Sequence, residues 1–185
     1  VDSRIISALK EERVAAEKVL AGPAMVFDGD RQALFEQVRG ALYAAILCAY
    51  AQGLALIQAG SQEYAYDLNI ADIARIWRGG CIIRAGLLED IRAVYAATPD
   101  LPNLLLAEPF RSAVQERQGA WREVIRTAVA FGIPVQALAA SLAYFDAYRT
   151  GRLPANLTQA QRDYFGSHTY RRIDKAGVFH TEWED

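Results

Sequence analysis

Apolar residues recur every three or four positions along almost the whole chain, and nowhere do they alternate with the period of two that a half-buried strand requires. The pattern begins in VDSRIISALKEERVAAEKVLAG, where Ile5, Ile6, Leu9, Val14 and Leu20 are interrupted by Lys10, Glu11, Glu12 and Arg13, with Asp2 or Ser3 as a cap. The glycines, proline and aspartates of GPAMVFDGDR (22–31) stop that helix, and Asp30 can cap the next. From about Arg31 to Ser61 a long helix is predicted, with Phe35, Val38, Leu42, Ile46, Tyr50, Leu54 and Ile57 at helical spacing. Its many alanines, together with Gly53, let neighbouring helices come close, which places this segment in the middle of a bundle.

After a turn around YDLN, a second long helix is predicted from Ile70 to Thr98. Gly79-Gly80 lies inside it, and each glycine costs about 1 kcal/mol relative to alanine, so the pair signals a tight crossing or a kink. PNLLLAEPF reads as a short turn, and EPFRSAVQERQGAWREVIRTAVAFG as a helix ending at Gly132. Pro134 then opens VQALAASLAYFDAYRTG, which ends near Gly151, and a last short helix runs from Leu157 to Phe165. The expected fold class is all-α: a bundle of six to seven helices with a C-terminal tail (175–185).

Composition narrows the function classes. At 185 residues, 52% hydrophobic and 23% charged, the chain can bury the core of one domain. A net charge of −2, a pI near 5.8 and scattered arginines argue against nucleic acid as a partner. Glu, Arg or Gln breaks each apolar run before the roughly 20 residues that a bilayer demands, so no membrane span is expected. Cys48 and Cys81 stand alone on helical patterns, as reduced thiols in a cytoplasmic protein or, alternatively, as one structural disulfide. No leader with a small-residue cleavage site is present, and Val1 leads almost directly into a helix, which suggests a fragment of a longer chain.

The polar chemistry gathers in LPANLTQAQRDYFGSHTY (153–170), which holds Arg162, Asp163, Gly166, His168 and Tyr170. Asn156 can cap the final helix, with Gln159 reaching back in a variant of the capping box, and Gly166 suits the left-handed residue that ends it. Leu157, Ala160 and Tyr164 form its apolar stripe, and Arg162 lies roughly 140° around the helix from Leu157, pointing away from the core. His168 falls beyond the helix end, where it can join Arg162 on one anion, because guanidinium grips phosphate bidentately and imidazole adds a donor. From spacing alone, a solvated arginine and a loop histidine fit as well.

These residues carry a family resemblance. LPANLTQAQRDYFGSHTY resembles the LPANLIQAQRDYFGAHTY signature of the decarboxylating 6-phosphogluconate dehydrogenases, differing at Thr158 and Ser167. The similarity continues through LKEERVAAEKVLAGP, ALYAAILCAYAQGLALI, IARIWRGGCIIRAGLLEDI, NLLLAEPF, AVAFGIPVQALAASLAYFDAYR and GVFHTEW, in order and over essentially the whole chain. The resemblance implies the C-terminal substrate-binding and dimerisation domain (1–185) of an enzyme that oxidises 6-phosphogluconate with NADP, releases CO2 and yields ribulose 5-phosphate. It implies that NADP sits on an N-terminal Rossmann domain, of which this chain shows no GxGxxG turn, and that the catalytic lysine and glutamate also precede it. No catalytic residue is then expected within this chain, and the chain alone is expected to be inactive.

By the same resemblance Arg4, Arg162 and His168 are the expected substrate-binding residues. Arg4 matches a family arginine that holds the substrate phosphate, although Asp2-Ser3 stands where Phe-Ala is usual. Arg162 and His168 match an arginine and a histidine that reach into the active site of the other subunit, which makes a homodimer with shared sites the expected assembly. The tail is expected to pack into the partner, with Phe179 and Trp183 as interface anchors.

Other residues draw blander readings. Cys81, amid Ile82 and Ile83, reads as inert core, and His180 has no Cys or His at metal-ligand spacing, so no metal is expected. Glu11, Glu12, Glu89, Asp90 and Glu116 read as solvated helix faces. Two readings of function follow: a substrate domain of an NADP-dependent oxidoreductase in the pentose phosphate pathway, or a stand-alone, non-catalytic module that dimerises or binds phosphosugars.

Overall fold

The computed structural model describes residues 2–23 and 26–183, and these form eight α-helices: α1 Asp2–Ala8, α2 Lys10–Glu17, α3 Arg31–Glu63, α4 Ile70–Arg78, α5 Leu87–Ala97, α6 Phe110–Ala130, α7 Gln136–Tyr148 and α8 Asn156–Gly166. A 3₁₀ turn, Leu104–Leu106, precedes α6. Among the described residues the only strand-like pairing is the single antiparallel bridge between Tyr170 and Phe179, so the all-α class stands.

Six to seven helices were expected, and two of the predicted helices are divided. The first is interrupted at Leu9, where ψ reaches 53°, separating α1 from α2. Caps at Asp2 and Ser3 lie outside the described side chains. The second division is a full break: Gly80 adopts φ +135°, a region open to glycine and costly for other residues, so α4 ends and the chain turns before α5. Glu89 spans the interruption, accepting from Arg78 and from Arg92, whose Nε lies 2.9 Å away. Half-buried between two guanidiniums, its carboxyl is held below the usual glutamate range, mainly by the Arg92 hydrogen bond. Glu89 is thus a brace between α4 and α5, whereas Glu11, Glu12, Asp90 and Glu116 are exposed as expected.

Elsewhere, Asp30 and Gly132 act as expected, and Asn69 adds a cap. Asp30 caps α3 by accepting from the main-chain N–H of Gln32 (2.8 Å) and Ala33 (3.2 Å), and Asn69 caps α4 by accepting from Asp72 (3.1 Å). Gly132, at φ +66°, closes α6: its N–H donates to the Val129 carbonyl and that of Ile133 to the Ala128 carbonyl, the paired bonds of a Schellman end.

α3 is the centre of the core, packed against α6 and the 3₁₀ turn. Ala41, Ala44, Ala45, Leu47, Cys48, Ala51 and Leu54 are its buried residues, and the prevalence of alanine lets the facing helix approach closely. Trp121, Val114 and Phe110 of α6 join Leu47 and Leu54 in one apolar cluster. The expectation that no segment is apolar enough to cross a bilayer is corrected here: by length and composition α3 would suffice, because its alanines and leucines outweigh the single Gln52 in the stretch 41–57. Its buried residues assign it to the protein core instead.

Cys48 and Cys81 are free, which removes the disulfide alternative. Burial pushes the Cys48 thiol up to about 12, leaving it protonated and inert at neutral pH. The chain divides into two compact units, residues 1–145 and 146–185, and the boundary falls in the last turn of α7. The first holds the core just described, and the second holds α8 and the tail.

Candidate functional site

α8 is an unusual amphipathic helix, because its buried residue is an acid. Leu157 and Tyr164 of the expected apolar stripe are 74% and 52% exposed, and only Ala160 is half-buried. Asp163 is fully buried in their place. Its carboxylate is satisfied by four donors: Oδ1 accepts from the Thr169 N–H and the His180 Nδ1 (both 2.9 Å), and Oδ2 from the Thr181 N–H (3.0 Å) and the Trp183 Nε1–H (3.2 Å). Desolvation alone would raise this carboxyl, but the combined donors outweigh it and hold it down at about 2. His180 Nδ1 therefore carries the proton that bridges the pair.

The tail that supplies those donors is itself folded back. Tyr170 and Phe179 exchange main-chain hydrogen bonds of 2.8 and 2.9 Å, with their rings 6.1 Å apart, and the Tyr170 hydroxyl meets Thr181 Oγ1 at 2.8 Å. Gly177, at φ +119°, lets the chain turn between them. Phe179 is half-buried beneath the Arg172 and Lys175 cations, and the Trp183 ring stands edge-on to Tyr164 at 5.7 Å.

Both ends of α8 differ from expectation. Asn156 makes no side-chain cap, and Ala155 stands at the N-cap position. Gln159, freed from reaching back, instead donates to the Thr169 carbonyl at 2.5 Å and accepts from Arg162 at 3.3 Å. At the C-terminal end the left-handed residue is Ser167 (φ 51°, ψ 36°), not Gly166. Gly166 remains helical and serves another purpose: a Cβ there would stand 2.9 Å from His168 Nε2 and 3.0 Å from Cδ2, so the missing side chain is the seat of the imidazole.

Arg162 and His168 are thereby brought to one helix end. The Ser167 N–H donates to the Asp163 carbonyl at 2.9 Å, and that of His168 makes a long 3.5 Å contact with the Arg162 carbonyl. Both side chains are exposed, and among the described residues the Arg162 guanidinium is engaged by Gln159 alone. Arg4, also exposed, stands on α1 in the first unit, where its carbonyl accepts from Ser7 Oγ at 2.7 Å.

A family model described as the 6-phosphogluconate dehydrogenase C-terminal domain matches residues 1–183. The chain belongs to this family. A decarboxylating 6-phosphogluconate dehydrogenase of Synechocystis sp. is 56% identical over all of this chain, and one of Escherichia coli is 54% identical, also over all of this chain. A solved Plasmodium falciparum 6-phosphogluconate dehydrogenase, studied in apo form, with its cofactor NADP+ and with its substrate 6-phosphogluconate, superposes on 98% of the chain with a TM-score of 0.91 and 41% identity. The chain spans about two fifths of the length of these relatives: 39% of the Synechocystis and Plasmodium proteins and 40% of the Escherichia coli one.

The motif carrying Arg162 and His168 was visible in the sequence, whereas the importance of its neighbour Asp163 was not. A carboxylate on a short helix reads as solvated, and its donors lie 6 to 20 positions downstream. Among the described residues no group of three or more His, Cys, Asp or Glu could hold a metal ion.

Proposed function

We propose that this chain is the substrate-binding and dimer-forming part of a cytoplasmic decarboxylating 6-phosphogluconate dehydrogenase that converts 6-phosphogluconate and NADP to ribulose 5-phosphate, CO2 and NADPH. The observation that carries this reading is the placement of Arg162 and His168 on one exposed helix end of a chain in this family. The Arg162 guanidinium has donors free to grip a phosphate bidentately and His168 supplies a further donor to the substrate, both reaching into the site of the other subunit, where Arg4 of the partner subunit is the second cation for the phosphate. Holding a dianionic phosphate far from the reacting carbons orients the sugar acid, so this binding serves rate as well as affinity.

A homodimer with shared sites accompanies this reading. Phe35 and Leu42 on α3 are 63% and 54% exposed, and Phe165 on α8 is 80% exposed, apolar side chains that a partner subunit can cover. Phe179 and Trp183 anchor the tail, and their outer faces are contacts for the partner.

NADP is assigned elsewhere. The described residues form no glycine-rich strand-to-helix turn and so do not fit a dinucleotide pyrophosphate. The Rossmann domain, the lysine base and the glutamic acid belong to the part of the enzyme outside this chain, and the chain alone has no dehydrogenase activity.

Absorbance at 340 nm with 6-phosphogluconate and NADP, followed for the complete polypeptide and for these 185 residues side by side, tests the reading. Turnover by the complete polypeptide alone is expected. Inactivity of both points to a non-catalytic binding module, and turnover by the short chain places catalytic residues within it.

A further inference from the structure

Four donors converge on Asp163, more than a helix end needs to be stable, and they come from two directions. One donor, the Thr169 N–H, belongs to the loop that carries His168, and the other three belong to the tail residues His180, Thr181 and Trp183. The loop is not an easy conformation: Ser167 and Thr169, which flank His168, both have positive φ (51° and 63°) without being glycine. Such a backbone persists only where its surroundings over-determine it. Here the restraint comes largely from one residue, since the Asp163 carbonyl accepts from Ser167 at 2.9 Å while its carboxylate accepts from Thr169 at 2.9 Å.

We infer that Asp163 is the positioning residue for His168, and that the tail acts on the substrate site through Asp163 by fixing the carboxylate that holds the His168 loop. The inference rests on the reading of His168 as a substrate donor. The chemistry requires a carboxylate: two oxygens each accept two donors, a demand an amide cannot meet, because its NH2 would face two further donors. Asp163 touches no substrate in this arrangement and acts only through the imidazole seated on Gly166.

The test is a double-mutant cycle in the complete enzyme with Asp163→Asn and His168→Ala, reading KM for 6-phosphogluconate, kcat and KM for NADP. Asp163→Asn is expected to raise the 6-phosphogluconate KM about tenfold with the NADP KM unchanged, since displacing a positioned group by as little as 1 Å can cost up to about 100-fold. In the His168→Ala background the same substitution is expected to add nothing. An equal rise in both backgrounds, or no rise in either, overturns the inference and leaves Asp163 a structural brace. If His168→Ala by itself leaves KM unchanged, the reading of His168 as a ligand falls, and the positioning role falls with it.

Trp183→Phe keeps a ring against Tyr164 and removes one donor, so it serves where Asp163→Asn fails to fold. It is expected to give a smaller KM rise that is likewise lost without His168, and a rise that survives His168→Ala overturns the inference.

Discussion

The imidazole of His168 rests on Gly166, so closely that a methyl group on the glycine would come within 2.9 Å of Nε2. Gly166 has ordinary helical geometry, so alanine would suit its backbone and favour the helix by up to about 1 kcal/mol. The clash falls on the far end of a side chain that can swing away. Gly166→Ala is therefore expected to leave the thermal midpoint within a few degrees while raising KM for 6-phosphogluconate several-fold in the complete enzyme. An unchanged KM would show that substrate binding is indifferent to where this ring sits.

Asp163 makes the second unit sensitive to acid in a defined window. Its folded value is depressed to about 2 from an ordinary 3.8, so its contribution to stability is complete above about pH 4 and disappears as pH falls through 2. The difference in thermal midpoint between the native protein and Asp163→Asn is expected to shrink steadily as pH falls from about 4 to 2. Asp174, also held near 2 by Arg172, titrates in both proteins and cancels in the difference. A difference that vanishes already at pH 5 would contradict the four-donor site.

How much of this was legible in the sequence follows from the range of each interaction. Asp30 and Gly132 bound their helices with partners two to five residues away, and a linear reading finds such signals. Gly79-Gly80 was visible as an irregularity, but its outcome, a full break, depends on φ at Gly80 and on Glu89 bridging the separated helices. α8 was misread at both ends and on its buried face because its partners come from the tail. Gln159 meets Thr169, Gly166 accommodates His168, and Asp163 collects donors as far away as Trp183. The residues proposed for substrate binding were reached through a motif resemblance, since spacing could place Arg162 away from the helix core but could not distinguish a ligand from a solvated side chain.

The core offers a prediction on stability alone. Trp121 is fully buried on α6, its Nε1–H donates to the Leu138 carbonyl at 3.2 Å and its ring lies 6.4 Å from that of Phe145. Trp121→Ala is expected to cost about 3–5 kcal/mol through the cavity it leaves. Trp121→Phe, which keeps a ring but gives up the hydrogen bond to a carbonyl that α7 itself still satisfies, should cost less, roughly 0.5–1.5 kcal/mol. Urea denaturation checks both, and equal costs would mean that the hydrogen bond rather than packing holds the site.

Arg162 gives the sharpest discrimination between a phosphate ligand and a helix-surface cation. Its guanidinium is exposed and, among the described residues, hydrogen-bonded only to Gln159, so losing it should disturb the fold by no more than about 0.5 kcal/mol. A charge-assisted hydrogen bond to phosphate is worth about 1.5–3 kcal/mol, or roughly 10- to 150-fold in binding. Arg162→Ala in the complete enzyme is thus expected to raise KM for 6-phosphogluconate by at least about tenfold while scarcely altering the kinetics measured with unphosphorylated gluconate. Equal losses with both substrates would place Arg162 outside the phosphate site and assign its effect to the shape of the helix end.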